Sequence, residues 1–290
     1  MPAQRISVIV ISLNEGGYLR RTIDNLQATL PRASEIVVVD DGSGDGSTGF
    51  LAKRHSIRLE RVEGLGVAAA RNHGAAQASG RILVFADAHI GLQRDWWKPL
   101  VRELEDPAVG AVAPGVADME HPRSVGFGLR LTGPALEVEW LHKEKDEPYP
   151  VPILPACCIA IRRETLERTG GFDGGLLGSG CVDNELALRF WLMGYELHVV
   201  PGVIVTHLFR DRFPYKVAPC RHLHNSLRLA FAHFGPRRAA EVVETLRGRD
   251  GFGEALALLI GGGISERRAE MHARRVRDDD WYFEKFEIYW

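Results

Sequence analysis

Apolar positions in the first hundred residues follow two alternating periods. Residues 6–11 (ISVIVI) form an unbroken β-branched run, as in a strand covered on both faces. Leu19, Ile23, Leu26 and Leu30 then recur at 4-3-4 spacing, one face of a helix that Pro31 stops. The pattern predicts a second strand over 35–39, a short helix over 47–55 and a third strand over 57–62. Residues 65–78 are rich in Ala and predict a helix thin enough to pack closely on a sheet. A fourth strand over 81–85 and a helix over 95–104 complete a βαβαβαβα order. That order predicts an α/β, Rossmann-like, mostly parallel sheet flanked by helices, with right-handed crossovers.

Residues 108–161 read as irregular, because prolines from Pro114 to Pro155 punctuate them, and they suit a loop that covers a site. Order returns with a strand predicted over 157–161, a helix over 182–193 and strands over 197–200 and 203–205. From Tyr215 onward the pattern is helical and Arg-rich. A boundary is expected near residue 214, with a catalytic α/β body over 1–214 and a helical extension over 215–290. Arg221, His222, His224, Arg228, Arg237 and Arg238 make the extension locally basic. Its apolar Leu223, Leu227, Ala230, Phe231 and Phe234 are expected to pack on the body or on a second copy, ahead of a peripheral membrane contact.

Composition narrows the class. The 290 residues are 45% hydrophobic and 26% charged, as in a soluble globular protein. With 36 Lys and Arg against 38 Asp and Glu, the net charge of −2 argues against nucleic-acid binding by whole-surface attraction. Cys157, Cys158, Cys181 and Cys220 lack CxxC spacing and read as small buried residues. The start, Met1-Pro2-Ala3-Gln4-Arg5, has no signal-peptide core, and the greasy stretch over 255–264 is short and ends in glycines. A cytoplasmic location is the simplest expectation.

In such sheets, ligands bind beyond the carboxyl ends of the strands. Three successive strand ends here carry polar clusters: Ser12-Leu13-Asn14-Glu15, Asp40-Asp41-Gly42-Ser43 and Asp87-Ala88-His89. Together they predict a pocket for a ligand that carries cations or hydroxyl groups. Gly64-Leu65-Gly66-Val67-Ala68-Ala69 imitates a dinucleotide fingerprint, and Asp87 follows Gly64 by 23 residues. It comes after the third strand, however, where that fingerprint opens the first βαβ unit.

The runs ISVIVISLNE, EIVVVDDGSGDGS and ILVFADAH, with Gly64-Leu65-Gly66 and Arg71-Asn72, resemble the GT-A-fold family-2 glycosyltransferases. Gly170-Gly171-Phe172-Asp173 and Val182-Asp183-Asn184-Glu185 continue the resemblance, which covers residues 5–212 in the family's order. Asp87-Ala88-His89 and Val205-Thr206-His207-Leu208-Phe209-Arg210 are similar to features of the polypeptide N-acetylgalactosaminyltransferases.

The resemblance implies a metal-dependent glycosyltransferase that uses a UDP-sugar. Asp87, His89 and His207 would hold the cation. Their mixed imidazole and carboxylate set suits Mn²⁺ better than Mg²⁺. Such an ion stabilises the charge that develops on a departing diphosphate. Leu13, Glu15, Asp41, Arg71, Asp87, Ala88 and Arg210 match sugar-nucleotide contacts, Asp41 at the uracil ring and Arg210 at the diphosphate.

Two departures matter. Val182 replaces the first acid of the usual Glu-Asp pair, and Ser179 stands where the polypeptide enzymes have Trp. Asp183 then resembles the general base of the inverting enzymes, with its ionised form favoured by a helix N-terminus. The acceptor stays open among peptide, glycan, lipid-linked sugar and small metabolite.

A sugar-nucleotide pyrophosphorylase would carry a Gly-rich basic loop after the first strand, where this chain has Ser12-Leu13-Asn14-Glu15. A non-catalytic sugar-nucleotide sensor would keep the pocket and lose Asp183. A two-His, one-carboxylate iron oxygenase is disfavoured by the alternation of β and α.

Overall fold

The computed structural model describes residues 5–216 and 218–290. Its first half follows the periodicity closely. Strands β1 (Ile6–Ser12), β2 (Glu35–Asp40), β3 (Ile57–Arg61) and β4 (Ile82–Asp87) pair in parallel in the order β3-β2-β1-β4. Helices α1 (Gly17–Thr29) and α2 (Val67–Gln77) make two of the crossovers. Between β2 and β3 the expected helix is one short 3₁₀ segment, Gly49–Lys53. Helix α2 lies close on the sheet because it presents only Ala and Gly there. At Gly74 an added Cβ would collide with Ile9 and, at 2.9 Å, with Val39.

After β4 the chain turns through β5 (Ile90–Gly91) and α3 (Trp97–Glu103) into β6 (Val109–Asp118). The proline punctuation concealed this ten-residue strand. Pro114 falls where β6 meets an irregularity in its neighbour, so the lost N–H is tolerated. Short strands β7 (Val125–Gly126), β8 (Leu129–Leu131), β9 (Val138–Trp140) and β10 (Tyr149–Pro150) follow. Then β11 (Cys158–Arg162) inserts between β4 and β6, antiparallel to both.

Helices α4 (Arg163–Thr169) and α5 (Val182–Leu192) lead to β12 (Glu196–His207). The two strands expected over 197–205 are one, with a register shift between Val200 and Ile204 around Pro201-Gly202. β12 runs parallel to β6, so the long ladders remain mostly parallel. The extension consists of α6 (Pro219–His233), α7 (Pro236–Leu246), α8 (Phe252–Gly261), α9 (Ile264–Arg274) and α10 (Asp279–Lys285).

Each sheet face has its own core. Val8, Val10, Val38 and Val84 pack under α1 and α3, while Ile9, Val39, Phe85 and Ile159 pack under α2, α5 and the extension. Leu223, Leu227, Ala230 and Phe234 are buried in the second core, and Phe231 is half-buried. Each such large apolar side chain contributes roughly 1.5–3 kcal/mol by its burial. The apolar stripe of the basic extension is thus a packing face. Among the described residues, no helix is long and apolar enough to cross a membrane.

Candidate functional site

The carboxyl ends of β1, β2 and β4 open onto a cavity of about 570 Å³. Leu13, Glu15, Asp41, Arg71, Asp87, Ala88, His89, Asp183, His207 and Arg210 all line it. Every predicted site residue therefore reaches one pocket.

At its centre, single ligand atoms of Asp87, His89 and His207 lie within 4.8 Å of one another. The arrangement has a topological cause. Directly after His89, β5 crosses to pair antiparallel with the end of β12, His207 opposite Ile90 and Thr206 opposite Gly91. The crossing is close at Gly91, where a Cβ would stand 2.5 Å from Thr206 Oγ1 and would turn that hydroxyl aside. His207 Nε2 is 3.2 Å from Asp87 Oδ2. His89 Nδ1 is 3.0 Å from Glu15 Oε2, which leaves Nε2 as the ring nitrogen free of that carboxylate.

Burial pushes the Asp87 carboxyl up. The His207 hydrogen bond and the charge of Arg71 outweigh it and hold Asp87 well below the ordinary carboxylate range. An ionised carboxylate beside two imidazoles, all aimed into one cavity, is a donor set that fits a Mn²⁺-like cation.

Arg71 is only 3% exposed, so it is not a solvated helix residue. Its Nη2 donates to the Ala156 carbonyl at 2.8 Å and lies 3.3 Å from Asp87 Oδ1. Nη1 and Nε are buried without a hydrogen-bond partner among the described residues, and Nη1 is 3.8 Å from Asp183 Oδ1. Unsatisfied guanidinium donors at a cavity wall suit a polyanionic ligand. Arg210 pairs with Glu15 Oε2 at 2.5 Å. Asp41 accepts from the Leu65 and Gly66 amides at 2.7 and 2.9 Å, which locks the 64–66 turn beside the pocket.

Asp183 opens α5 as expected, and its Oδ2 accepts from the Ala156 amide at 3.0 Å. The direction of its acidity corrects the expectation from the helix terminus. Burial raises its pKa above the usual value, and Arg71 with the Ala156 amide offsets only part of that. Cys157 and Cys181 also line the cavity. Burial pushes Cys181 up to about 11 and Cys158 to about 12, which keeps both as thiols. All four cysteines are free and buried.

Sequence reasoning missed the aromatic rim. Trp140 and Phe209 meet edge to face at 5.8 Å, and Phe213 stacks on Tyr215 at 5.5 Å. All four line the cavity mouth, with Trp140, Phe209 and Phe213 exposed. It also missed that Lys216 and Arg221, two basic residues of the extension, reach the same cavity.

Comparison with known proteins agrees with this geometry. The family model described as Glycosyl transferase family 2 matches residues 7–170. A Caenorhabditis elegans protein named probable N-acetylgalactosaminyltransferase 8 is 26% identical over 96% of this chain and 71% of its own. The chain spans about two fifths of the length of other curated polypeptide N-acetylgalactosaminyltransferases that it matches. The crystal structure of GalNAc-T7 with UDP, GalNAc and Mn²⁺ superposes with a TM-score of 0.79 at 21% identity, covering 98% of this chain and 57% of that one. That likeness establishes the GT-A fold. A mannosyltransferase from Pyrobaculum calidifontis, in complex with GDP-Man and Mn²⁺, superposes with a TM-score of 0.58 at 26% identity, covering 93% and 79%.

Proposed function

This chain belongs to glycosyl transferase family 2, and on that premise we propose that it moves a sugar from a UDP-sugar to a hydroxyl acceptor with the help of a divalent cation. The observation that carries this reading is the Asp87, His89 and His207 cluster beside the unsatisfied guanidinium of Arg71. Asp87, His89 and His207 would hold Mn²⁺, or less well Mg²⁺. The ion would supply Lewis-acid stabilisation to the leaving diphosphate. Arg71 and Arg210 bind that diphosphate, and Leu13, Glu15, Asp41 and Ala88 shape the nucleotide end. The choice of UDP rests on the UDP held by the GalNAc-T7 structure, whereas the Pyrobaculum calidifontis structure holds GDP-Man.

Asp183 is the general base of this proposal, and transfer is inverting. As the acceptor oxygen forms its bond to the anomeric carbon, the bond to the diphosphate oxygen breaks and UDP leaves with the electron pair. Asp183 takes the hydroxyl proton. Its raised pKa makes it a better proton acceptor than an ordinary aspartate once ionised. The acceptor we favour is a peptide hydroxyl, supported by the names of relatives described as polypeptide N-acetylgalactosaminyltransferases and by an aromatic rim suited to apolar side chains. Residues 1–214 act as the catalytic unit, and 215–290 form an extension that shares its core. Four free, buried thiols fit a reducing compartment such as the cytosol.

A panel of sugar nucleotides, assayed for nucleotide release with and without a hydroxyl peptide, tests the reading. Release from a UDP-sugar that EDTA abolishes and Mn²⁺ restores is expected. Full turnover in excess EDTA would remove the metal from the reaction, and release only from GDP-sugars would overturn the donor.

A further inference from the structure

We infer that Asn225, on α6 of the extension, is a positioning residue that holds the pocket wall leading into Asp183. The inference rests on the proposed reaction for its kinetic part and on geometry for the rest. Asn225 is fully buried and does not line the cavity. Its Oδ1 accepts from the Leu177 amide at 2.8 Å, and His224 Nδ1 lies 3.0 Å from the same oxygen. Its Nδ2 faces three carbonyls of one segment: Leu177 at 3.0 Å, Ser179 at 3.3 Å and Gly180 at 3.0 Å. One side chain thus replaces the regular backbone partners that this segment lacks.

The held segment is conformationally demanding. Gly178, Gly180 and Cys181 have φ of 63°, 97° and 57°. A non-glycine residue in that region is strained and persists only where its surroundings impose it. Gly178, Ser179, Gly180, Cys181 and Val182 all line the cavity, and Asp183 comes next. Gly178 also accepts from the Val67 amide at 2.9 Å and packs on Gly66, so the wall touches the turn that Asp41 locks. One helical turn further along α6, Arg228 grips Asp173 with two hydrogen bonds of 2.8 and 2.9 Å. Together, Asn225 and Arg228 tie both sides of the 173–181 loop to the extension. Displacing Asp183 by an ångström would be enough to slow transfer severely.

Asn225→Asp tests this, because it keeps the shape and the Leu177 contact but turns a carboxylate onto three carbonyl oxygens. Asn225→Ser withdraws the whole amide, the Nδ2 donor and the Oδ1 acceptor, without adding charge. Hydrogen exchange across 177–181 is expected to quicken by roughly tenfold or more in both. Turnover should fall by about tenfold or more, with UDP affinity changed less than about threefold. Asp279→Asn, which weakens the Arg238 pair elsewhere in the extension, should lower the melting temperature and leave exchange at 177–181 unchanged. Wild-type exchange in Asn225→Asp would overturn the inference. Equal loosening in Asp279→Asn would do so too, by showing general destabilisation. If the wild-type protein turns over no donor, the proposed reaction fails, while the exchange measurement still decides the role of Asn225.

Discussion

Glu15 Oε2 lies 3.0 Å from His89 Nδ1 and 2.5 Å from Arg210 Nη2, so one carboxylate orients a candidate metal ligand and a candidate diphosphate ligand. A carboxylate on the far nitrogen of a ligating imidazole fixes its tautomer and raises its basicity, and losing it lowers metal affinity by roughly 10–100-fold. Glu15→Gln should therefore weaken Mn²⁺ binding by that order, as read by calorimetry without any sugar nucleotide. Unchanged Mn²⁺ affinity would confine Glu15 to the nucleotide wall.

Removing the proposed base has a separate signature. Asp183→Asn is expected to lower turnover by about 10²–10⁴-fold while the protein melts and binds UDP much as before. Because burial lifts Asp183, the acid limb of the wild-type pH–rate profile should lie above the range of an exposed aspartate. Turnover should fall as pH drops through that raised value, where the base becomes protonated. A sugar product of retained anomeric configuration, seen by NMR, would exclude Asp183 from this role.

The contact of α2 with the sheet makes a stability prediction far from the chemistry. Gly74→Ala places a methyl against Ile9 and Val39, both fully buried. Overpacking of this kind costs about 1–3 kcal/mol. Denaturant titration should show the loss, and a variant as stable as the wild type would mean that α2 can slide outward freely.

The early strands and the pocket were legible because each depends on local pattern. β-branched runs mark β1 and β2, and Asp41, Asp87 and His89 are strand-end residues whose convergence follows from the order of the sheet. β6 was not legible, since Pro114 and Gly115 interrupt the apolar period and only pairing with β12 explains them. The place of Arg71 near the diphosphate came from the resemblance, but nothing on its Ala-rich helix foretold that it would be buried. Asn225 gives no signal either, because a mid-helix asparagine has no pattern that foretells a loop 45 residues away. Desolvation of Asp183 depends on what surrounds it in space, whereas its place at a helix start was readable from the chain.

The same distinction hid a buried ionic cluster. Arg189 Nε and Nη2 each lie 2.9 Å from the Glu185 carboxylate, with His233 at 3.0 Å and Arg267 at 3.2 Å. These side chains come from α5, α6 and α9. Burial pushes Glu185 up, but Arg189 and His233 prevail and hold it well below 4.5. Its contribution is thus full above the unfolded value near 4.5 and fades as pH falls towards the folded one. Glu185→Ala leaves Arg189 buried without its carboxylate, while Arg267 keeps Asp173 and Glu270, and should cost about 3–5 kcal/mol. Acid titration should then show a flatter loss of stability below about pH 4.5 in the variant. An unchanged acid transition would mean that other groups govern it.

The crossing of β5 onto the end of β12 also has a consequence for synthesis. His89 and His207 are joined by that short pairing, yet a growing chain presents them 118 positions apart. A nascent polypeptide emerges at roughly 5–20 residues per second, so for several seconds Asp87 and His89 are outside the ribosome without the third donor. Until His207 arrives, the two can offer an ion only a weak, open perch. Tight capture of metal is thereby postponed until the last strand of the sheet has docked, and occupancy of the site reports a completed sheet.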